Sequence, residues 1–117
     1  MILVDATVWI DHLRRDNDRL RAWLENGEVL VHDYVIVELA CGFLSSRRAF
    51  LARLHQLPKA PVATNREVLS FIETYSLMGS GLNFVDIHLL ASSLLNPGVS
   101  LWSHDVRLQE LAGAALH

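Results

Sequence analysis

Three short runs of β-branched and other apolar residues alternate with longer segments of helical character, and this alternation constrains the fold most strongly. The runs lie at residues 2–4, 29–31 and 99–102. Short apolar runs of this kind are typical of strands that are buried on both faces. Strands that alternate with helices pair in parallel and are covered by helices on both sides. We therefore predict a three-layer α/β/α fold with a central, mainly parallel sheet.

The sheet is expected to contain four or five strands. The loop over residues 57–61 is expected to lead into a short edge strand at Val62 and Ala63. No linker, internal repeat or low-complexity segment interrupts the pattern, so we expect residues 1–117 to form a single domain.

Capping signals mark where several helices are expected to begin. Asp33 is placed to cap an apolar helix over residues 34–44. Thr64 and Glu67 have the spacing of a capping box. Further helices are expected from Val8, from Asp16 or Asn17, from Ser46, over residues 84–95 and over residues 105–112.

Composition limits the classes of protein to which the chain can belong. Apolar residues make up 51% of it and charged residues 20%, which is typical of a globular domain rather than a disordered one. The single Cys41 excludes an internal disulfide and a cysteine-based zinc site. We find neither an apolar run of the roughly 18 residues that a membrane span needs nor a signal peptide, so we expect a cytoplasmic protein.

Four acidic residues stand where the pattern otherwise predicts apolar surroundings. Asp5 ends the first strand, and Asp105 follows the last one. Glu38 and Asp86 lie within strongly apolar helical segments. The carboxyl ends of parallel strands share one edge of the sheet, where ligands bind. We therefore predict that these four side chains converge there.

Converging carboxylates need a cation. Two of them about 4 Å apart repel each other by roughly 4 kcal/mol at an effective dielectric constant near 20. No Lys or Arg is adjacent in sequence to Asp5, Glu38 or Asp86. Ligands that are all oxygen favour Mg²⁺ or Mn²⁺ over zinc. Such an ion generates hydroxide from water and stabilises a leaving oxygen, which is the chemistry of phosphodiester cleavage.

Each acidic residue also has an ordinary structural explanation. Asp5 and Asp105 are both placed to cap a helix, and Asp86 is an early-helix acid favoured by the helix dipole. For Glu38 the alternative is an ion pair with an arginine. Because Glu38 has no capping role, it is the hardest of the four to explain by structure alone.

Other polar and aromatic residues carry weaker signals. The hydroxyl groups of Thr7 and Ser103, each two residues from an acidic residue, suit direct or water-bridged metal contacts and ordinary capping equally well. Asn83 is expected to be a helix cap. The six histidines show no metal-binding spacing, and the three tryptophans are expected in the core or at an interface rather than in base stacking.

The four acidic segments together resemble the acidic blocks of PIN domains and, more narrowly, those of VapC toxins from bacterial toxin–antitoxin pairs. The resemblance spans the whole chain, and only its combination of blocks is specific. The sequence departs from the family pattern at two places, where Ala6-Thr7 replaces the common Thr-Ser and Ser103 replaces the common Thr. Both departures keep a hydroxyl group near the site. The matching blocks are Val4-Asp5-Ala6-Thr7-Val8-Trp9-Ile10-Asp11, Val37-Glu38, Leu82-Asn83-Phe84-Val85-Asp86 with Leu89-Leu90-Ala91, and Leu101-Trp102-Ser103-His104-Asp105-Val106-Arg107-Leu108.

This resemblance implies a PIN-like fold and an endoribonuclease that depends on Mg²⁺ or Mn²⁺. It implies Asp5, Glu38, Asp86 and Asp105 as catalytic and metal-binding residues. VapC-type enzymes act on tRNA, ribosomal RNA or mRNA. They are usually dimeric and are inhibited by a small VapB-type antitoxin.

The net charge of −3 means that RNA affinity must come from local basic groups and bound metal. The densest basic stretch is expected to grip substrate, although solvated helix faces explain it as well, and Arg107 lies beside Asp105. For the antitoxin we expect a groove formed around residues 34–44 and 50–57, and a dimer face is expected around residues 68–75. The basic stretch contains Arg14, Arg15, Arg19 and Arg21.

Two other functions compete with the nuclease. A phosphotransferase would use Asp5 as its nucleophile and would need a lysine for the phosphoryl group. The only lysine, Lys59, lies in a proline-flanked loop, which is a poor place for that role. The second alternative is a catalytically inactive PIN-like interaction module.

Overall fold

The computed structural model describes residues 1–113, which form a parallel sheet and the helices around it. The strand order is β2-β1-β3, so the first strand is central. Ile2 pairs with Val29 on one side of β1 and with Ser100 on the other, and both pairings are parallel. The elements are β1 (Ile2–Val4), α1 (Ala6–Arg15), α2 (Asp18–Glu25), β2 (Val29–Leu30), α3 (Asp33–Ala40), α4 (Arg47–His55), α5 (Asn65–Thr74), α6 (Phe84–Leu94), β3 (Ser100–Trp102) and α7 (Val106–Ala112).

The predicted number of strands was wrong. Within residues 1–113 the sheet has three strands, not four or five. The expected edge strand at residues 62–63 does not form, and the only trace of a fourth strand there is a single parallel bridge between Val31 and Lys59. The backbone N–H of Ala60 donates to the Val31 carbonyl in this bridge, so extending it towards β2 would require an N–H group two residues earlier, at Pro58, which has none.

The core lies on both faces of the sheet, as the apolar strands predict. Leu3 and Val4 of β1 are fully buried, and α6 contributes an almost continuous buried segment over residues 87–93. Trp9 and Trp102 are buried, in agreement with the prediction that tryptophans belong to the core. No helix within residues 1–113 is both long enough and apolar enough to cross a membrane.

The third helix differs from its prediction at both ends. His32 rather than Asp33 is the N-cap, and its Nδ1 accepts a hydrogen bond of 3.0 Å from the backbone N–H of Tyr34. The helix ends at Ala40 instead of residue 44. Gly42 follows closely, and glycine is costly inside a helix because its backbone loses the most freedom there. The predicted capping box at the start of α5 is confirmed.

Candidate metal and active site

Asp5 lies at the carboxyl end of the central strand, where it is fixed by the sheet itself. Its backbone N–H donates to the carbonyl of Trp102 at 3.0 Å, so the pairing of β1 with β3 continues to the residue at which α1 starts. Ser103 follows β3 directly and lies at the same edge. The parallel topology thus brings the two ends of the sequence together, as predicted.

The Asp5 side chain is buried, and both of its oxygens accept hydrogen bonds. Oδ1 accepts from the backbone N–H of Ala6 at 2.8 Å. Oδ2 accepts from the hydroxyl groups of Thr7 at 2.8 Å and Ser103 at 2.7 Å. Three donated hydrogen bonds therefore fix the position of both carboxylate oxygens.

The hydroxyl groups of Thr7 and Ser103 connect the segment that follows β1 to the segment that follows β3. Each donates its proton to Asp5 and accepts a backbone N–H: Thr7 from His104 at 3.0 Å, and Ser103 from Asp105 at 2.9 Å. Both were predicted as supporting residues with either a metal-binding or a capping role. The structure places them in contact with Asp5 and gives them a positioning role.

Glu38 was expected in wholly apolar surroundings, and the structure corrects this. Glu38 is exposed, and its neighbour Val37 is 60% exposed, so α3 does have a solvent face. No arginine pairs with Glu38 among the ion pairs of residues 1–113, which removes the support for its structural alternative. Partial burial of its carboxyl group, followed by the charges of Asp5 and Asp86, raises its pKa above the ordinary 4.5.

Asp86 is the third residue of α6 and completes a capping box that sequence analysis did not predict. The Asn83 side chain accepts from the Asp86 N–H at 2.8 Å, and Asp86 Oδ2 accepts from the Asn83 N–H at 3.2 Å. Asn83 is thus the helix cap that was predicted. The pKa of Asp86 is raised above its ordinary value of 3.8, and burial is the largest cause. The hydrogen bond from the Asn83 N–H opposes this rise, and the charges of Asp5 and Asp105 add to it.

Asp105 caps α7, accepting a hydrogen bond of 3.2 Å from the backbone N–H of Leu108 through Oδ1. Its charge acts on Asp86, whose charge in turn acts on Glu38. The four predicted acidic residues therefore lie in one electrostatic neighbourhood at the carboxyl edge of the sheet.

The chemistry of these ligands fits a hard divalent ion, but their arrangement is not a complete cage. No group of three Asp, Glu, His or Cys side chains within residues 1–113 is arranged to hold one metal ion. Mg²⁺ is commonly held by one or two carboxylates and keeps several water ligands. Glu38 and Asp86 are the best candidates for direct ligands, because a cation would offset both the burial and the repulsion that raise their pKa values.

Gln109 is a positioning residue that sequence analysis missed. Its Oε1 accepts from the backbone N–H of Ser103 at 2.8 Å, and its Nε2 donates to the carbonyl of Leu101 at 3.0 Å. The side-chain amide therefore fixes the turn that carries Ser103 to Asp5. A glutamine in an amphipathic helix gives no sequence signal for such a role.

The basic residues near the site are largely engaged by other groups. Arg107 donates to the carbonyl of Ser80 at 3.1 Å, and its charge lowers the pKa of Asp86, opposing the larger effect of burial. In the basic stretch, Arg15 pairs with Asp11 and Arg21 with Asp16. Two of the four arginines expected to grip substrate are thus partly neutralised.

Comparisons with known proteins identify the family of the chain. The family model of the PIN domain matches residues 2–114. Two relatives are Ribonuclease VapC32 of Mycobacterium tuberculosis, from strain CDC 1551 / Oshkosh and from strain ATCC 25618 / H37Rv. Each is 44% identical to this chain over 109 residues, which cover 93% of this chain and 88% of the relative. The chain therefore belongs to the PIN-domain family and, within it, to the VapC type of toxin.

Proposed function

We propose that this protein is an endoribonuclease that hydrolyses phosphodiester bonds in cellular RNA with Mg²⁺ or Mn²⁺ as cofactor. The proposal is carried by the grouping of Asp5, Glu38 and Asp86. Beyond the effect of burial, Asp5 and Asp86 raise the pKa of Glu38, and Asp5 and Asp105 raise that of Asp86, as expected of carboxylates that bind a cation. The name of the two relatives, Ribonuclease VapC32, supports the same activity.

The acidic residues have distinct roles in this proposal. Glu38 and Asp86 hold the ion, Asp5 contributes through the lone pairs that its hydrogen bonds leave free, and Asp105 acts through water. The bound ion supplies a more acidic water molecule and stabilises charge on the leaving oxygen. Every other task falls to the protein, which must orient these oxygens before substrate arrives.

Positioning of Asp5 is the task of the hydroxyl groups. Thr7 and Ser103 hold Oδ2 with two donated protons, which fixes the carboxylate plane. Gln109 holds the backbone of Ser103 in turn. This network connects residues that are 98 positions apart in sequence, so the site forms only when the sheet is complete.

Asp5→Asn tests this function, with Asp11→Asn as a matched control in the adjacent helix. With total RNA and Mg²⁺ or Mn²⁺, we expect the wild type and Asp11→Asn to cleave and Asp5→Asn to lose at least about 100-fold in rate. EDTA should abolish cleavage by every variant. We expect Asp5→Asn to fold, because its side-chain amide still presents an oxygen to the Ala6 N–H. Circular dichroism checks this.

Intact RNA after incubation with antitoxin-free wild type in either metal would reject the nuclease in favour of an inactive PIN-like module. A phosphoaspartate trapped on Asp5 would revive the phosphotransferase. The structure offers that alternative little support, because the amine of Lys59 lies 3.3 Å from Asp33 in an ion pair.

We further propose the setting in which this activity operates. Residues 1–117 form one PIN domain, supported by the family match over residues 2–114 and by one continuous core; residues 114–117 lie outside the described part. The protein acts in the cytoplasm without a membrane partner, forms dimers, and is held inactive by a VapB-type antitoxin. The mean hydropathy of +0.26 supports partner contacts, because some apolar surface remains to be covered.

A further inference from the structure

Two aromatic rings lie against each other at the starts of α3 and α6, and one of them faces solvent. The rings of Tyr34 and Phe84 stack with centroids 5.5 Å apart and an interplanar angle of 29°. Phe84 is 60% exposed although it is a large apolar residue. Tyr34 is half-buried beside it. The pair therefore offers an aromatic surface that the core does not use.

Two buried histidines pack against this ring pair. His88 contacts Tyr34 edge-on at a centroid distance of 4.7 Å and Phe84 at 4.6 Å. His32 lies 5.0 Å from Tyr34, and its Nδ1 also accepts the Tyr34 backbone N–H. Both histidines are fully buried. The rings are consequently held in place before any ligand arrives, which lowers the entropic cost of stacking on them.

The ring pair lies on the same two helices as Glu38 and Asp86. Tyr34 is one helical turn before Glu38, so the two side chains share a face of α3. Phe84 is the first residue of α6, and Asp86 is the third. An RNA strand with its phosphate at Glu38 and Asp86 would therefore pass close to the two rings.

Electrostatics favours a base rather than a phosphate at the rings. Glu38 and Asp86 create a negative potential that repels phosphate unless a metal ion is bound, and Lys59 nearby is already paired with Asp33. An uncharged, planar nucleobase is not repelled and gains by stacking on an aromatic face. The exposed ring of Phe84 can therefore bind the nucleobase, which the acidic residues do not bind.

We propose that Tyr34 and Phe84 form a stacking platform for one unpaired nucleobase of RNA next to the phosphate that is cleaved. This inference rests on the proposed ribonuclease function and adds a substrate class to it: single-stranded or looped RNA, in which a base is free to leave its neighbours. Duplex RNA keeps its bases stacked internally and cannot use the platform.

Binding to a fluorescent oligonucleotide tests the platform independently of cleavage. The probe is a single-stranded octamer of adenosine and uridine with 2-aminopurine at a central position, whose emission falls when the base stacks. All proteins carry Asp5→Asn and are measured with Mg²⁺, so the probe stays intact. Phe84→Ala should weaken binding at least about fivefold and lose the emission change, whereas Phe84→Trp should keep both.

Two controls separate aromatic stacking from apolar contact and from folding. Phe84→Leu keeps an apolar side chain without a ring, and it should behave like Phe84→Ala. Val62→Ala shortens another exposed apolar side chain, outside the helices of the site, and should leave binding unchanged. Thermal unfolding of each variant should show that α6 still forms.

The outcomes distinguish the platform from the nuclease. Unchanged binding and emission in Phe84→Ala overturn the platform even if the wild type cleaves RNA. Loss of both in Phe84→Ala supports the platform even if the wild type proves inactive, in which case only the nuclease proposal fails. If Phe84→Ala binds the probe normally but binds the antitoxin less tightly, the surface belongs to a protein partner and the platform is overturned.

Discussion

Three of the four acidic residues proposed to bind metal also stabilise the start of a helix. Asp5 and Asp105 cap helices, and Asp86 lies early in its helix, as their ordinary structural explanations predicted; the capping box that Asp86 completes was not predicted. These roles do not exclude metal binding, because each carboxylate has more lone pairs than its cap uses. Capping fixes where each carboxylate lies relative to the sheet edge. Glu38 has no such role, and its position depends only on where α3 packs.

The ionised Glu38 side chain is expected to lower the free energy of unfolding at neutral pH. Because its pKa is raised above 4.5 in the folded protein, the folded state binds more protons than the unfolded state just above that pH. Stability therefore falls as pH rises through the folded pKa, and the loss persists at pH 7. Glu38→Gln should then stabilise the protein at pH 7 by less than about 1 kcal/mol, since solvent screens this exposed group.

Urea unfolding at pH 7 and RNA cleavage should be measured on the same preparation of Glu38→Gln. We expect a slightly higher midpoint of unfolding together with loss of cleavage. The same substitution at Glu73, exposed in α5, serves as the control for the amide itself. A destabilised Glu38→Gln would contradict the repulsion inferred between the acidic side chains.

His32 is expected to make the fold sensitive to acid. Burial, followed by the nearby His88, lowers its pKa from 6.5 to about 4, while Asp33 opposes them. As pH falls from 6.5 to about 4, the unfolded state takes up a proton that the folded state does not bind. Stability is therefore lost across that window, by up to roughly 3 kcal/mol.

His32→Asn isolates this effect, because asparagine does not titrate and is a strong N-cap. The variant loses packing at every pH, so the informative quantity is the difference in unfolding free energy between variant and wild type. We expect that difference to shrink as pH falls from 6.5 to about 4 in urea titrations. A difference that stays constant would show that His32 does not titrate as inferred.

At the scale of the elements, the start of α6 is set by the loop that precedes it. Gly81 has a φ of +82°, a conformation that residues with a side chain rarely adopt. A Cβ at this position would also collide with the guanidinium group of Arg107, which donates to the carbonyl of Ser80. Arg107 thus connects the start of α7 to the loop leading into Asn83 and Asp86.

Gly81→Ala is expected to destabilise the fold by about 1–2 kcal/mol through the backbone alone. It should also displace Arg107 and so reduce RNA cleavage several-fold. Gly27→Ala is a matched control, because Gly27 has a similar φ of +69° but nothing within 4 Å of the added Cβ. Chemical unfolding and cleavage rates compare the two. Equal losses of activity would mean that Arg107 does not position α6.

Local signals predicted the elements better than the connections between them. The strands and the capping box at Thr64 follow from apolar runs and from spacing, which neighbouring residues determine. The number of strands depended on whether the segment after residue 57 could pair with β2, and Pro58 lacks the N–H group that a longer pairing would need. The contact of Ser103 with Asp5 joins residues 98 positions apart, so no local pattern reveals it. Gln109 contacts Ser103 and Leu101 within eight residues, but no known sequence signal marks a glutamine for that role. Glu38 was predicted near Asp5, but its exposure depends on tertiary packing.

At the scale of the whole molecule, apolar side chains remain exposed on two separate faces. Leu13 of α1 lines two adjoining grooves, one of about 460 Å³ against α2 and α4 and another of about 290 Å³ that includes the fully exposed Phe43. Leu69 and Tyr75 are exposed on or beside α5. The groove expected between residues 34–44 and 50–57 is also present, at about 560 Å³. These surfaces can serve different partners.

Substituting glutamate for a leucine on each face tests which partner that face binds. Leu51→Glu places a charge in the groove between residues 34–44 and 50–57, where the antitoxin is expected, so we expect at least about a 10-fold loss of affinity for the antitoxin and no change in dimerisation. Leu69→Glu should do the reverse, because the α5 side is the expected dimer face. Light scattering and titration of the co-expressed antitoxin measure the two properties. If both variants lose the same property, one continuous interface covers both faces, and inhibition would require the dimer.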